Sequence, residues 1–202
     1  MKWTVCCAWT VITVLTVGTC WTSAKAAITP DSYEIEVYAG AYKPDPADLD
    51  NNVSYGLRIG YNFAEHMSIR GVLSRFDTDG KFTTFHGEFG QVTGTVNYRS
   101  TIIEFPLVIR PHPEKAWLMD LFFGPGFSFV SYSQQASDER FDYDSGKLEA
   151  SGFTVLAGIG VQREFLGRLF LHLVGQSHWY AARERDRLDL EATLGLGLTL
   201  GR

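Results

Sequence analysis

The chain has 202 residues, is 45% hydrophobic and 20% charged, and carries a formal net charge of -5, which fits a single domain of the usual size, about 100–200 residues. With 23 acidic against 18 basic residues, it has no basic surface to neutralise a nucleic-acid backbone, so nucleic acid is excluded as a partner. Aromatic residues at 14% exclude a disordered chain.

Residues 1–26 read as a secretory signal peptide. Lys2 supplies a positive start, Val5 to Trp21 is apolar and uncharged, and Ala24-Lys25-Ala26 is a small-x-small cleavage signal before Ala27. Six threonines between Thr4 and Thr22 argue against a membrane anchor, and Val17-Gly18-Thr19 is a poor approach to lipidation at Cys20. Cys6, Cys7 and Cys20 all fall in this segment. The mature domain, 27–202, is therefore expected to have no disulfide, thiol chemistry or cysteine metal site. Losing Lys2 and Lys25 leaves 16 basic against 23 acidic residues, a mature charge of -7.

From Tyr33 onward, apolar and polar residues alternate in stretches of about 10, the length of a tilted membrane strand. The pattern predicts strands at 33–42, 53–63, 66–76, 101–110, 116–130, 151–163, 168–180 and 189–201. The connections at 43–52, 77–100 and 131–150 are long, those at 64–65, 111–115 and 164–167 short, and 181–188 intermediate. Even strand number and alternating loop length predict an all-β, eight-stranded antiparallel up-and-down transmembrane β-barrel.

One strand face carries bulky residues such as Ile35, Leu57, Ile69, Leu121, Ile159 and Leu196, and the other carries the charges. Three observations turn the bulky face outward. An eight-stranded barrel is too narrow to hold that set. The glycines Gly40, Gly56, Gly60, Gly124, Gly126, Gly158, Gly160, Gly195 and Gly197 share parity with the charges, making space there. The apolar face also places Tyr33, Tyr61, Phe63 and Trp117 at the short-turn end and Tyr55, Phe129, Phe153 and Trp179 at the long-loop end, as two aromatic girdles would be.

Tyr55-Gly-Leu-Arg-Ile-Gly-Tyr-Asn-Phe63, Thr101-Ile-Ile-Glu-Phe-Pro-Leu-Val-Ile109, Phe123-Gly-Pro-Gly-Phe127 and Ala157-Gly-Ile-Gly-Val161 resemble bacterial outer-membrane β-barrel proteins of the porin-like, opacity-related group. The resemblance spans the mature chain and implies an eight-stranded barrel in a Gram-negative outer membrane, inserted by the barrel-assembly machinery, without implying an activity. Two features depart from the group. Its chains usually finish on an aromatic residue, whereas this one finishes Leu198-Thr-Leu-Gly-Arg202. Pro106 and Pro125 also fall inside predicted strands, where bulges are expected.

Mid-strand charges facing a narrow lumen must be paired. An odd-length turn after Phe63 would set Arg58 opposite Arg70, with Glu36 and Glu104 as their carboxylates, while Asp120, His172 and Glu191 would form a second cluster. Such a network reads as a salt-bridged plug, with a narrow ion or small-solute channel as the alternative. A lipid A-modifying hydrolase is the third reading. Ser177 and His178 point to opposite faces and cannot pair directly, which leaves only Ser177 with Glu191. Histidines His86, His112, His172 and His178 are too scattered for a metal site. No catalytic, metal or cofactor site is expected.

Loops 77–100 and 131–150 carry acidic and aromatic residues, including Asp77, Asp79, Phe82, Phe85, Phe89, Tyr132, Phe141 and Tyr143, and are expected to be a surface for a ligand. Segment 81–99 alternates too, which predicts a hairpin extending beyond the membrane. Arg183-Glu-Arg-Asp-Arg187 alternates in sign and is expected to pair with itself, a lipopolysaccharide-phosphate contact being the alternative. The sequence thus points to a monomeric outer-membrane barrel with a structural or surface-interaction role, in contact with lipid and lipopolysaccharide.

Overall fold

A computed structural model describes residues 29–44, 50–86, 90–113, 115–138, 141–181 and 187–201. The expected signal segment 1–26 and most of the Arg183–Arg187 loop lie outside the described residues. The alternating sequence folds into β1 (Ser32–Lys43), β2 (Asn52–Ala64), β3 (Met67–His86), β4 (Gly90–Glu104), β5 (Leu107–Ile109), β6 (Trp117–Asp138), β7 (Phe141–Asp144), β8 (Leu148–Phe165), β9 (Leu169–Ala181) and β10 (Arg187–Leu200).

All pairings are antiparallel, and the ring closes because β1 pairs with both β2 and β10. β5 continues the line of β4 between β3 and β6, and β7 pairs with the upper end of β6. The wall therefore has eight staves, and closure leaves no row of unpaired backbone groups facing a medium that offers none a partner. Arg58 and Glu104 are buried toward the axis, whereas Leu73, Leu121 and Leu196 are exposed on the outer surface.

Several strands outrun the sequence pattern. β3 and β4 continue as a hairpin to His86 and Gly90, as the alternation in 81–99 implied. The expected long loop at 131–150 is instead mostly strand. β6 runs to Asp138, where it pairs with β7, and β8 begins at Leu148. Polar residues occupied both faces there, so the pattern had no apolar side to reveal.

The expected bulges at the prolines are not what the chain uses. Glu104 pairs with Gly126 and Leu107 with Phe123, so the register is the same on both sides of the Phe105–Pro106 gap, and the two prolines share one interruption. Phe105 N donates to Pro125 O at 2.8 Å and Arg70 N to Pro106 O at 3.0 Å. Each proline thus forfeits one ladder bond while its carbonyl stays paired. A Cβ at Gly124 would lie 2.4 Å from Pro106 Cα, so glycine is required opposite the break. The register shift falls at Asn62–Ala64, beside the turn into β3.

The interior is not purely polar, as face-sorting had implied. Tyr42, Phe76, Tyr98, Ile102 and Tyr180 form a buried apolar cluster at the long-loop end, and Val108, Phe122, Leu156 and Val174 form a second at mid-height. Charged side chains thread between these clusters by lying across glycines of neighbouring strands. A Cβ would lie 1.9 Å from Glu36 Oε1 at Gly195, 2.3 Å from Glu104 Cγ at Gly126, and 2.4 Å from His172 Nε2 at Gly160. Gly175, in contrast, faces outward with nothing within 4 Å of its Cβ position. Gly195→Ala is therefore expected to destabilise the refolded barrel by about 1–3 kcal/mol through overpacking. Gly175→Ala should shift stability by less than about 0.5 kcal/mol. Urea titration of both variants in lipid vesicles checks the difference.

Candidate functional site in the barrel lumen

The residues that could do chemistry are the inward polar positions, stacked in three tiers along the axis. At the short-turn end, Arg110 follows β5 and is fully buried. Its Nε donates to Asp120 Oδ1 at 2.8 Å, Nη1 to Asn62 Oδ1 at 2.7 Å, and Nη2 to Glu34 Oε2 at 2.9 Å. Arg70 Nη2 reaches the same two carboxylates, at 3.0 Å from Glu34 Oε2 and 2.7 Å from Asp120 Oδ2. Two guanidiniums and two carboxylates thus form one closed cluster, with charge-assisted hydrogen bonds offsetting the desolvation of all four groups.

In the middle tier, Arg58 Nη1 donates to Glu36 Oε1 at 2.6 Å and Nη2 to Thr193 Oγ1 at 2.8 Å. Its guanidinium lies 3.8 Å from the Tyr38 ring centroid, a cation–π contact. His172 joins this tier to the one below, with Nδ1 3.0 Å from Glu36 Oε2 and Nε2 3.5 Å from Asp120 Oδ2. In the upper tier, His178 sits between two carboxylates, Nδ1 at 2.9 Å from Glu104 Oε1 and Nε2 at 3.0 Å from Glu191 Oε2. Gln176 Nε2 also donates to Glu191. Above it, Tyr42 OH donates to Asp189 Oδ2 at 2.6 Å and meets Tyr180 OH at 2.8 Å.

All seven charged residues singled out in the sequence face the lumen, but their partners differ from the expected ones. The register sets Arg58 opposite Val72 and Arg70 opposite Gly60, so the arginines are offset diagonally and do not face each other. Arg58 does meet Glu36, whereas Arg70 turns down to Glu34 and Asp120, and Glu104 pairs with His178. Asp120 and His172 approach each other, while Glu191 belongs to the tier above. Glu34, Arg110 and His178 were not assigned to the network. Each shares inward parity with its neighbours, and Arg110 closes a predicted strand, so parity alone could have found them.

The aromatic residues Tyr33, Tyr55, Phe63, Trp117, Phe129, Phe153 and Trp179 all face outward and are exposed. Tyr61 is half-buried, its ring 5.1 Å from that of Tyr33, and its hydroxyl donates to Asp31 Oδ1 at 2.8 Å. Ser177 Oγ donates to Ala157 O at 3.2 Å on the outer face. Glu191 is inward, on the other side of the sheet, so the one surviving nucleophile pairing is absent. Among the described residues no group of three or more His, Cys, Asp or Glu side chains is arranged to hold a metal ion.

Residues 12–200 match the family profile of the outer membrane protein beta-barrel domain. No curated protein matches the chain. Solved structures share the fold at low identity. The outer membrane protein OprG from Pseudomonas aeruginosa is 12% identical, the match covering 88% of this chain and 100% of that one, with a TM-score of 0.58. A major outer membrane protein from Thermus thermophilus is 9% identical over 83% of this chain and 99% of its own, with a TM-score of 0.59. Ail, the attachment invasion locus protein of Yersinia pestis, is 15% identical over 85% of this chain and 100% of its own, with a TM-score of 0.51, and has also been solved with the heparin analogue sucrose octasulfate. With a closed eight-stave wall, an apolar outer surface and a profile match over nearly its whole length, the chain belongs to the outer membrane protein β-barrel domain family of bacterial outer-membrane proteins.

Proposed function

We propose that this barrel is a structural and surface-binding protein whose lumen is sealed by its own side chains, and that it has no enzymatic activity. The observation that carries the reading is the complete burial of Arg110, Asp120, Glu104, His172 and His178, each 0% exposed, across the barrel axis. The mid-lumen cavity among Arg58, Arg70, His172 and Gln176 has room for about one water molecule, far less than a hydrated ion needs. Three arginines and three carboxylates in the two lower tiers balance one another, which favours a plug over a path. The outward aromatic residues form the girdles that fix the barrel's height in the lipid.

Residues 1–26 are removed on export, the assembly machinery inserts the remaining domain, and lipid and lipopolysaccharide surround its wall. Ligand binding falls to the extended β3–β4 and β6–β7–β8 end. This end carries Arg75 and Arg99 around Asp77 and is braced by buried Val96, Tyr98 and Ala136. Such a surface is a rigid platform, which suits recognition. The complex of Ail with a sulfated saccharide makes an anionic glycan the first ligand to try.

In planar bilayers the protein is expected to give no reproducible conductance, and steady current abolished by Glu104→Gln would overturn the sealed-lumen reading. Arg110→Ala, which leaves Glu34 and Asp120 short of a guanidinium, should cost about 3–5 kcal/mol of unfolding free energy. Arg75→Ala, at a half-buried position outside the lumen, should cost less than about 1 kcal/mol. Incubation with lipid A should leave its acyl chains intact by mass spectrometry, and product that disappears in Ser177→Ala would restore the hydrolase reading.

A further inference from the structure

The apolar band of the outer wall ends differently on different staves. On β2 and β10 the outward face stays apolar to Val53 and Leu188. On β3, β4 and β6 it is apolar only to Leu73, Ile103 and Phe129, and polar or charged from Arg75, Thr101 and Ser131 onward. At that border β3 and β4 bring three charges together. Asp77 pairs across the ladder with Arg99, and Arg75 stands one outward position below it, opposite Thr101. Arg99 is in turn opposite Ser131 of β6.

The two arginines are held from one side only. Arg99 Nε donates to Asp77 Oδ1 at 2.8 Å, and Arg75 Nε lies 3.8 Å from Asp77 Oδ2, too long for a hydrogen bond. One carboxylate therefore faces the Nε side of both guanidiniums. Among the described residues their terminal Nη groups make no hydrogen bond, and the two side chains are 41% and 60% exposed. The neighbouring charges cancel. Asp79 and Lys81, the next outward residues of β3, are opposite in sign, and Glu149, opposite Ser131, is engaged by Lys147 at 2.6 Å. Two guanidiniums against one carboxylate thus leave one positive charge unmatched, in a chain with 23 acidic and 18 basic residues. Planar guanidiniums bind phosphate through paired N–H groups, and these two offer theirs at the edge of the hydrocarbon.

We propose that this cluster binds a phosphate of a phosphorylated glycolipid in the outer leaflet. The lipid's chains lie below on Leu73, Ile103 and Phe129, and its sugars lie above on the projecting wall. Three kinds of surface meet there in the order that such a molecule requires. The apolar residues answer the chains, and the arginines answer the phosphate. Above Arg99 the outward positions of β4 and β6 are Asn97, Thr95, Ser133 and Gln135, an uncharged face of hydrogen-bonding groups that suits a saccharide. The inference rests on the surface-binding reading and deepens it, by assigning the Arg75–Arg99 end to a lipid of the same membrane in place of a soluble glycan. A lipid is already confined to the height of the arginines, so it loses less freedom on binding than a soluble anion does. Exposed charges that hold a free ion weakly are enough to hold it.

The test uses the full mature barrel in uncharged detergent with EDTA, so that no divalent ion bridges phosphate to Asp77. Retention of bis-phosphorylated lipid A is read by native mass spectrometry, with dephosphorylated lipid A, inorganic phosphate and sucrose octasulfate as separate probes. The expected result is one lipid A per barrel, retained about tenfold more firmly than its dephosphorylated form. Arg75→Gln combined with Arg99→Gln should abolish that preference. Arg163→Gln, which removes an equal charge from over Trp117 at the other rim, should keep it. All variants should show the heat-modifiable gel migration of a folded barrel. Equal retention of the dephosphorylated lipid overturns the proposal, and so does an equal loss in Arg163→Gln, which would mean attraction by overall charge. Inorganic phosphate displacing lipid A at comparable concentration also overturns it, because the chains would then contribute nothing. Sucrose octasulfate bound through the two arginines, with no preference for phosphorylated lipid A, overturns the lipid and leaves the surface-binding reading intact. No dependence on the arginines with any probe overturns both.

Discussion

The interior of this barrel is governed by a shortage of space. Eight staves enclose a lumen just wide enough for side chains to fill, yet six carboxylates and three arginines point into it. Long charged side chains fit only by folding flat against the wall, and a wall position can receive one only if it lacks a Cβ. Glu36 over Gly195, Glu104 beside Gly126 and His172 over Gly160 are three instances of one rule. The glycines weaken their own strands entropically, a cost borne because the charges they admit hold several staves together at once.

Each tier joins strands distant in sequence. Arg110 connects β5 to β1, β2 and β6, Arg58 connects β2 to β1 and β10, and His178 connects β9 to β4 and β10. Such contacts form only once the ring is nearly closed. The network therefore reports closure, and its members reinforce the backbone ladder in the direction where each strand pair alone is weakest. The tiers also differ in kind. Arginine, whose fork can serve two carboxylates at fixed geometry, occupies the two lower tiers, and histidine alone separates the carboxylates of the upper one.

The sequence disclosed this architecture through parity. A two-residue period sorted the faces, and the surplus of bulky residues on one, the glycines on the other and the aromatic residues at the strand ends together oriented the wall. Partners were harder to read. Arg58 and Arg70 were expected to oppose each other, but the tight turn between Ala64 and Met67, with the register shift beside it, sets Arg58 opposite Val72, and side chains of this length reach past their nearest neighbour in any case. Phe76, Phe122, Leu156 and Phe170 also escaped notice, since sorting residues by chemistry assigns apolar side chains to the lipid by default. The extent of β6 was invisible for the opposite reason: above the membrane neither face is apolar, and the amplitude of the alternation vanishes.

That loss of amplitude carries information of its own. On the outer face of β3 the sequence passes from Leu73 to Arg75 and Asp77, on β4 from Ile103 through Thr101 to Arg99, and on β6 from Phe129 to Ser131 and Ser133. The three changes fall within one outward position of each other, because Arg75 pairs with Thr101 and Thr101 with Phe129, while Asp77 pairs with Arg99 and Arg99 with Ser131. They draw the upper limit of the hydrocarbon contact across neighbouring staves. Above that line the inward face keeps its order, with Thr78, Val96, Tyr98 and Ala136 still buried, so the wall rises out of the lipid on one side as folded sheet. A projection with its own packed interior holds its outward groups at fixed spacing, and fixed spacing is what distinguishes a recognition surface from a solvated loop.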